Sequence, residues 1–382
     1  RQESTYFTSH ASDFINDKLN LGLRFTVFGN LYYYLNKEFN WIEEKAQGNH
    51  SWPTALETGV NWNSQIFKGP FYGNVRAGKH PLEKTDILFE VKIGDKVNAG
   101  SVYKGFLPDA QVPVYFLENE RYFGRMGLYN YPGTTNDFED NCERFIFFAR
   151  GALEVIEKLK MHPDVVHCND WQTGLVPVYL KTTYAGKACF RNTKSLQTLH
   201  NLVYQGRFGK SDMDLTGLDG SLFNWKQLEF YGQLNFLKGG IVFSDAISTV
   251  SKTYAEEIQT MECGDGLEGV LHERSKDLWG IINGIDYTIW NPETDKCIIA
   301  NYGIKKLGGK QLCKKSLQRT YKLPERDVPV VGMVTRLAKQ KGLDLIIAKF
   351  HDLMKLDIQF VLLGSGDPMY HEIFQGFAKV FP

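Results

Sequence analysis

From about residue 86 onward, short runs of apolar and β-branched residues alternate with stretches whose apolar positions recur at helical spacing. PVYFL at 113–117, DVVHCN at 164–169, SLQTLHN at 195–201 and AISTVS at 246–251 read as strands, as do VPVVGMVTRL and DIQFVLLGSGD further on. Between them, DNCERFIFFARGALEVIEKLK at 140–160 sets Phe145, Phe148, Ala152, Ile156 and Leu159 along one stripe. WQTGLVPVYLKTTY, KTYAEEIQ, GLDLIIAKFHDLMKL and PMYHEIFQGFAKVF have the same helical character. This order predicts an α/β fold with parallel sheets covered by helices on both faces. In such sheets ligands gather beyond the carboxyl ends of the strands.

Other features bound the function. A chain of 382 residues is too long for one ordinary core, so two domains are expected. Lys plus Arg equal Asp plus Glu at 44 each, which leaves no global field to gather nucleic acid or a membrane surface. The six cysteines (Cys142, Cys168, Cys189, Cys263, Cys297, Cys313) form no CxxC pair and no metal-like cluster, which fits buried thiols in a reducing compartment. The sequence has no 18-residue apolar run and no signal-peptide pattern, so a soluble cytoplasmic protein is expected, or a plastid one in a plant. The first residue is Arg1, which suggests a fragment. Residues 1–85 are aromatic-rich (NLYYYL, WIEEK, FKGPFYGN) and alternate partly with period two in LGLRFTVF, suggesting short antiparallel strands without a functional reading.

The candidate chemistry lies at the strand exits. Asp170 and Trp171 follow DVVHCN; His200, Asn201, Tyr204 and Gln205 follow SLQTL. Arg336 and Lys341 follow VVGMVT, and Gly364-Ser365-Gly366-Asp367 follows FVLL. Each has a plain alternative. Asp170 could cap the next helix, and His200 could be a satisfied core histidine. Asp367-Pro368 is an ordinary helix start. Arg336 and Lys341 could be solvated, although cations at a helix start oppose its dipole. Gathered on sheet edges, they read together as an anion and polar-ligand site.

The ordered blocks VVHCNDWQTGLVPVYL, TLHNLVYQGRF, NFLKGGIVFSDAISTVS, GLEGVL, NGIDYTIWNPETD, GMVTRLAKQKGLDL and LLGSGDP resemble the starch and glycogen synthases over about residues 86–382. The resemblance implies a type-B glycosyltransferase of two Rossmann-like domains facing across a cleft. Residues 86–282 would form the first, 283–327 a linker and 328–382 part of the second. It implies retaining transfer of glucose from ADP-glucose, or UDP-glucose, to the non-reducing end of an α-1,4-glucan, with no cofactor or metal. Arg336 and Lys341 would hold the donor diphosphate, with Gly364 and Gly366 beside it. His200, Asn201 and Asp170 would stand at the transferred glucose, Trp171 would pack on the sugar, and Tyr204 and Gln205 would line the cleft.

The pattern also breaks. The family's Lys-x-Gly-Gly-Leu loop has no counterpart in residues 1–85, and the Glu-containing continuation of the second domain is absent, so both domains read as incomplete. Lys238-Gly239-Gly240 and Lys306-Leu307-Gly308-Gly309-Lys310 resemble the loop but lie in the wrong places. Weak donor binding is therefore expected of this chain. An inactive α-glucan-binding fragment, or a glycosyltransferase using another nucleotide sugar, stays open as an alternative.

Overall fold

The computed structural model describes residues 83–106, 112–131, 134, 136–288 and 290–381, with the backbone of three short strands nearer the N-terminus. The chain divides into two compact units, Arg1–Asn283 and Gly284–Pro382. The early strands are β1 (Tyr6–Ser9), β2 (Arg24–Phe25) and β3 (Leu31–Tyr32), with β2 and β3 paired antiparallel. The aromatic stretches at 41–45 and 67–74 lie outside the described residues.

Two larger sheets build the first unit. One is ordered β1-β6-β5-β4, where β4 (Glu83–Ile93) and β5 (Lys96–Phe106) form a long hairpin and β6 (Pro113–Glu118) joins antiparallel to β5. The strand–helix reading passed over this hairpin. Its signal was present: period-two alternation through DILFEVKI, then Gly94-Asp95 at the turn, where Gly94 takes φ 54°. After the short helix α1 (Glu120–Phe123), α2 (Asn141–Lys158) buries Phe145, Phe148 and Ile156 in the main core, as its stripe predicts.

The other sheet is fully parallel. It runs β13-β12-β8-β7, from β7 (Val165–Asn169) and β8 (Lys194–Leu199) to β12 (Ala246–Thr249) and β13 (Leu278–Gly280). The helices α3 (Leu175–Lys181), α4 (Phe236–Phe243), α5 (Lys252–Glu257) and α6 (Glu268–Glu273) lie in its crossovers. A small antiparallel sheet of β9 (Arg207–Phe208), β10 (Glu229–Phe230) and β11 (Gln233–Asn235) sits in the connection after β8. In the central strands β8 and β12 the consecutive residues Gln197, Thr198 and Leu199, and Ile247, Ser248 and Thr249, are all buried, so both faces of the sheet are covered there, while the outer strands are more open. Val165 on β7 and Trp279 on β13 stay 55% and 61% exposed.

In the second unit, α7 (Gly308–Thr320) precedes β14 (Val330–Val334), α8 (Leu343–Leu353), β15 (Gln359–Leu363) and α9 (Pro368–Val380). The two strands pair in parallel, and Leu337, Leu343 and Tyr370 form a small core with Met333, Ile347, Leu362 and Phe374. Among the described residues, no helix is long and apolar enough to cross a membrane.

Candidate functional site

In the first unit the parallel pairing brings two exits together. β7 and β8 pair with Asn169 opposite Thr198, so Asp170 and His200 emerge side by side. The Asp170 N–H donates to Thr198 O at 2.9 Å, and the chain then turns with Asp170 at φ 54° and ψ −168°. This backbone is uncommon for a residue bearing a Cβ. The turn aims the carboxylate across the edge, where Oδ1 accepts the His200 N–H at 2.8 Å. It makes no capping bond to the 3-10 turn Trp171–Thr173 that follows, so the capping alternative falls away. Burial pushes the Asp170 carboxyl up; the His200 ring and the N–H groups of His200 and Asn201 offset this only partly.

His200 is tied to the same corner through its ring. Nε2 lies 3.0 Å from Asn169 Oδ1. With the amide oxygen as acceptor, Nε2 carries the proton and Nδ1 of the neutral ring is left as an acceptor. Asn169 is itself buried, its N–H and carbonyl both bonded to Thr173 Oγ1 at 2.8 Å. Behind it a polar row crosses three strands: His167 Nε2 to Thr198 Oγ1 at 2.6 Å, and Thr198 Oγ1 to Ser248 Oγ at 2.7 Å. The sequence reading missed Asn169 and this row. An Asn at the last position of a strand, directly before the selected Asp, was the only signal.

The remaining residues of this exit separate by role. Asn201 Oδ1 accepts the Val203 N–H at 3.0 Å and shapes the loop, while Tyr204 is half exposed at its tip. Gln205 does not face a ligand. It is 4% exposed, its amide nitrogen donates to Asp265 O at 2.9 Å, and its oxygen accepts from Asn235 Nδ2 at 2.7 Å. Both ends are used to brace the loop. Trp171 departs from expectation too. Its ring is buried among Tyr129, Phe145 and Phe208, with centroids 4.5–6.0 Å apart. Gly206, at φ 62°, covers it so closely that a Cβ there would sit 2.3 Å from the indole. The indole supports the site from beneath instead of presenting a face to sugar.

The second unit holds the other exit. Thr335 N–H donates to Leu363 O at 3.1 Å, Leu337 N–H to Ser365 O at 2.7 Å and Asp367 N–H to Leu337 O at 2.8 Å, so the loops after β14 and β15 are zipped together. Gly364 and Gly366 permit this approach: a Cβ would lie 2.1 Å from Thr335 O or 2.3 Å from Leu337 O. Asp367 caps α9 through the Met369 N–H at 2.9 Å, which is its plain reading. Arg336 and Lys341 are exposed on this frame, and among the described residues neither has an ion-pair partner. Lys341 closes a 3-10 turn just before α8, where the helix dipole disfavours a cation. Two unpaired cations beside a glycine turn suit an anion such as a diphosphate.

The two Lys-Gly-Gly look-alikes are structural. Lys238-Gly239-Gly240 lies within α4, and Gly308-Gly309 opens α7, with Gly309 pressed against the Asn301 backbone.

A family model described as the starch synthase catalytic domain matches residues 66–273, starting before the residue-86 boundary read from the sequence blocks. The glycogen synthase of Thermosipho africanus is 48% identical over 303 residues, covering 79% of this chain and 59% of that protein. The glycogen synthase of Pseudothermotoga lettingae is 49% identical over 282 residues, covering 74% and 57% respectively. The catalytic domain of starch synthase IV from Arabidopsis thaliana, solved bound to ADP and acarbose, superposes with a TM-score of 0.70 at 34% identity, covering 79% of this chain and 61% of that one. The chain thus spans about three-fifths of the length of the curated relatives it matches. With its α/β architecture and its matched family model, the chain belongs to the starch synthase catalytic domain family.

Proposed function

We propose that this chain serves glucan elongation: retaining transfer of glucose from a nucleotide sugar, ADP-glucose before UDP-glucose, to the non-reducing end of an α-1,4-glucan. The observation that carries the reading is the Asp170–His200 corner, a desolvated carboxyl locked to the backbone of a histidine whose ring is separately oriented by Asn169. Such a corner holds polar groups at fixed positions toward a transferred sugar and its acceptor hydroxyl. Arg336 and Lys341 supply the second requirement, positive charge for the diphosphate that leaves. The glucosyl C–O bond to the diphosphate breaks, a glucan hydroxyl forms the new C–O bond on the same face, and the departing phosphate oxygen takes the hydroxyl proton. The protein contributes orientation and charge.

The test offers labelled ADP-glucose and UDP-glucose separately with glycogen and counts label in precipitated polymer. Incorporation from ADP-glucose that disappears in His200→Ala supports the reading. Retention of glycogen binding with no incorporation from either donor would instead mark an α-glucan-binding protein without transfer.

A further inference from the structure

The loop His200–Gly206 is stitched to the first turn of α4 and, through Asn235, to the small sheet that precedes it. Gln205 O accepts the Leu237 N–H and Gly206 O the Phe236 N–H, each at 3.1 Å, and β9 pairs with β11. On this same frame stand two largely exposed aromatic side chains: Trp225 is 72% exposed, with the Lys226 ammonium 5.3 Å from its ring centroid, and Tyr231 is 82% exposed. Their backbones are nevertheless fixed. The buried Lys238 of α4 reaches out to donate from Nζ to Trp225 O at 2.5 Å and to Glu229 O at 2.7 Å. Asn224 ties down the turn around Trp225, donating to Ser221 O and Gln227 Oε1 at 2.7 Å each.

Tyr231 is the more telling of the two. With Gly232 it forms the two-residue turn between β10 and β11, at φ 48° and 80°. Such turns favour Asn-Gly, and a bulky aromatic in the left-handed region is uncommon. A residue held in an unfavourable backbone conformation points from strain toward a role. Here the strain presents a phenol ring to solvent, steadied edge-on by the buried Phe230 at 4.8 Å. Rigidly mounted Trp and Tyr rings offer large contact area at little cost in side-chain freedom. Their flat apolar faces match the C–H faces of pyranose rings, and their polar edges tolerate the hydroxyls around them.

Resting on the α-glucan reading above, we propose that Trp225 and Tyr231 form a docking platform for an α-1,4-glucan chain, mounted on the same frame as the Asp170–His200 corner. The platform acts in binding and takes no part in bond making. Native electrophoresis of the unmodified chain through gels containing glycogen, with dextran gels as the control polymer, tests it. Tyr231→Asn replaces the ring with a residue the turn prefers, so its thermal midpoint should not fall. Its dissociation constant for glycogen should nonetheless rise at least threefold, as should that of Trp225→Ala, with roughly tenfold for the pair. Glycogen retardation equal to wild type in both variants overturns the proposal, as does equal retardation of the wild type by dextran. An unmodified chain that glycogen does not retard also overturns the platform, while the function reading is decided separately by glucosyl incorporation. Loss of self-association in the variants without change in glycogen affinity would assign the rings to contact between copies and likewise overturn it.

Discussion

The two strand edges that carry the candidate chemistry are built in opposite ways. At the edge of β7 and β8, polar groups are largely satisfied by the fold: Asp170 by the His200 backbone, the His200 ring by Asn169, and Gln205 at both ends of its amide. At the edge of β14 and β15 the backbone is zipped tightly, but the two cations it carries are exposed and, among the described residues, have no ion-pair partner. A group that must hold a precise direction is best fixed by neighbours, and a group that must neutralise an arriving anion is best left without one. The contrast implies that changes at the first edge act on turnover and changes at the second on donor affinity.

The largest effect should follow from removing a fixed group. Asp170→Asn preserves the acceptor for the His200 N–H but removes the charge, and we expect glucosyl transfer to fall roughly 100-fold or more. Because burial raises the Asp170 carboxyl, ionisation works against folding. Stability from this group is present at low pH and is lost as pH rises through its elevated value. Asp170→Asn should therefore be as stable as wild type, or more so, at neutral pH in urea unfolding. A variant with near-normal turnover, or one that is markedly less stable, would break the comparison at its first side.

Arg336→Ala should act on the other side. Losing one charge-assisted contact of about 1.5–3 kcal/mol should weaken nucleotide-sugar binding roughly 10- to 100-fold while glycogen affinity is unchanged. Calorimetric titration with ADP separates the two. A loss of glycogen affinity with ADP binding intact would reverse the assignment.

Gly364→Ala tests whether the zipped loops, rather than the cations alone, make the second edge. A Cβ 2.1 Å from Thr335 O forces the loops apart, at a cost on the order of 1–3 kcal/mol. Unfolding of the second unit, followed by hydrogen exchange at Val361–Leu363, should become easier with little change at Val165–Asn169.

The smallest effect lies at the opposite end of the first unit's parallel sheet. Burial tends to raise Asp245, but the Lys181 ammonium and the N–H and hydroxyl of Ser195 outweigh it and hold the carboxyl at about 2. The depressed value makes the carboxylate stabilising above its unfolded range, near 4, with the contribution lost as pH falls toward 2. With solvent screening of this partly exposed pair, Asp245→Asn should cost only about 1 kcal/mol at pH 7, and the gap from wild type should narrow below pH 4. A gap that stays constant down to pH 3 would show that shape, not charge, holds this corner.

Much of this was legible in the sequence because it depends on local periodicity and on short motifs at strand exits. The stripe of α2, the strands β7, β8, β12, β14 and β15, and the positions of Asp170, His200, Arg336 and Lys341 all follow from side chains spaced along one segment. The long hairpin of β4 and β5 was legible too, but the surrounding alternation of strands and helices overrode its period-two signal.

Tertiary structure decided what each exit residue does, because that depends on partners distant in sequence. Trp171 and Gln205 sit among the same motifs as Asp170 and His200. Phe145, Phe208 and Gly206 bury the indole, and Asn235 and Asp265 take up the amide. Asn169 gains its role only because β8 lies alongside β7 and sets the His200 ring within reach. The sequence determined which side chains arrive at a strand's end; the pairing of strands determined which of them turn inward as supports and which stay available to a ligand.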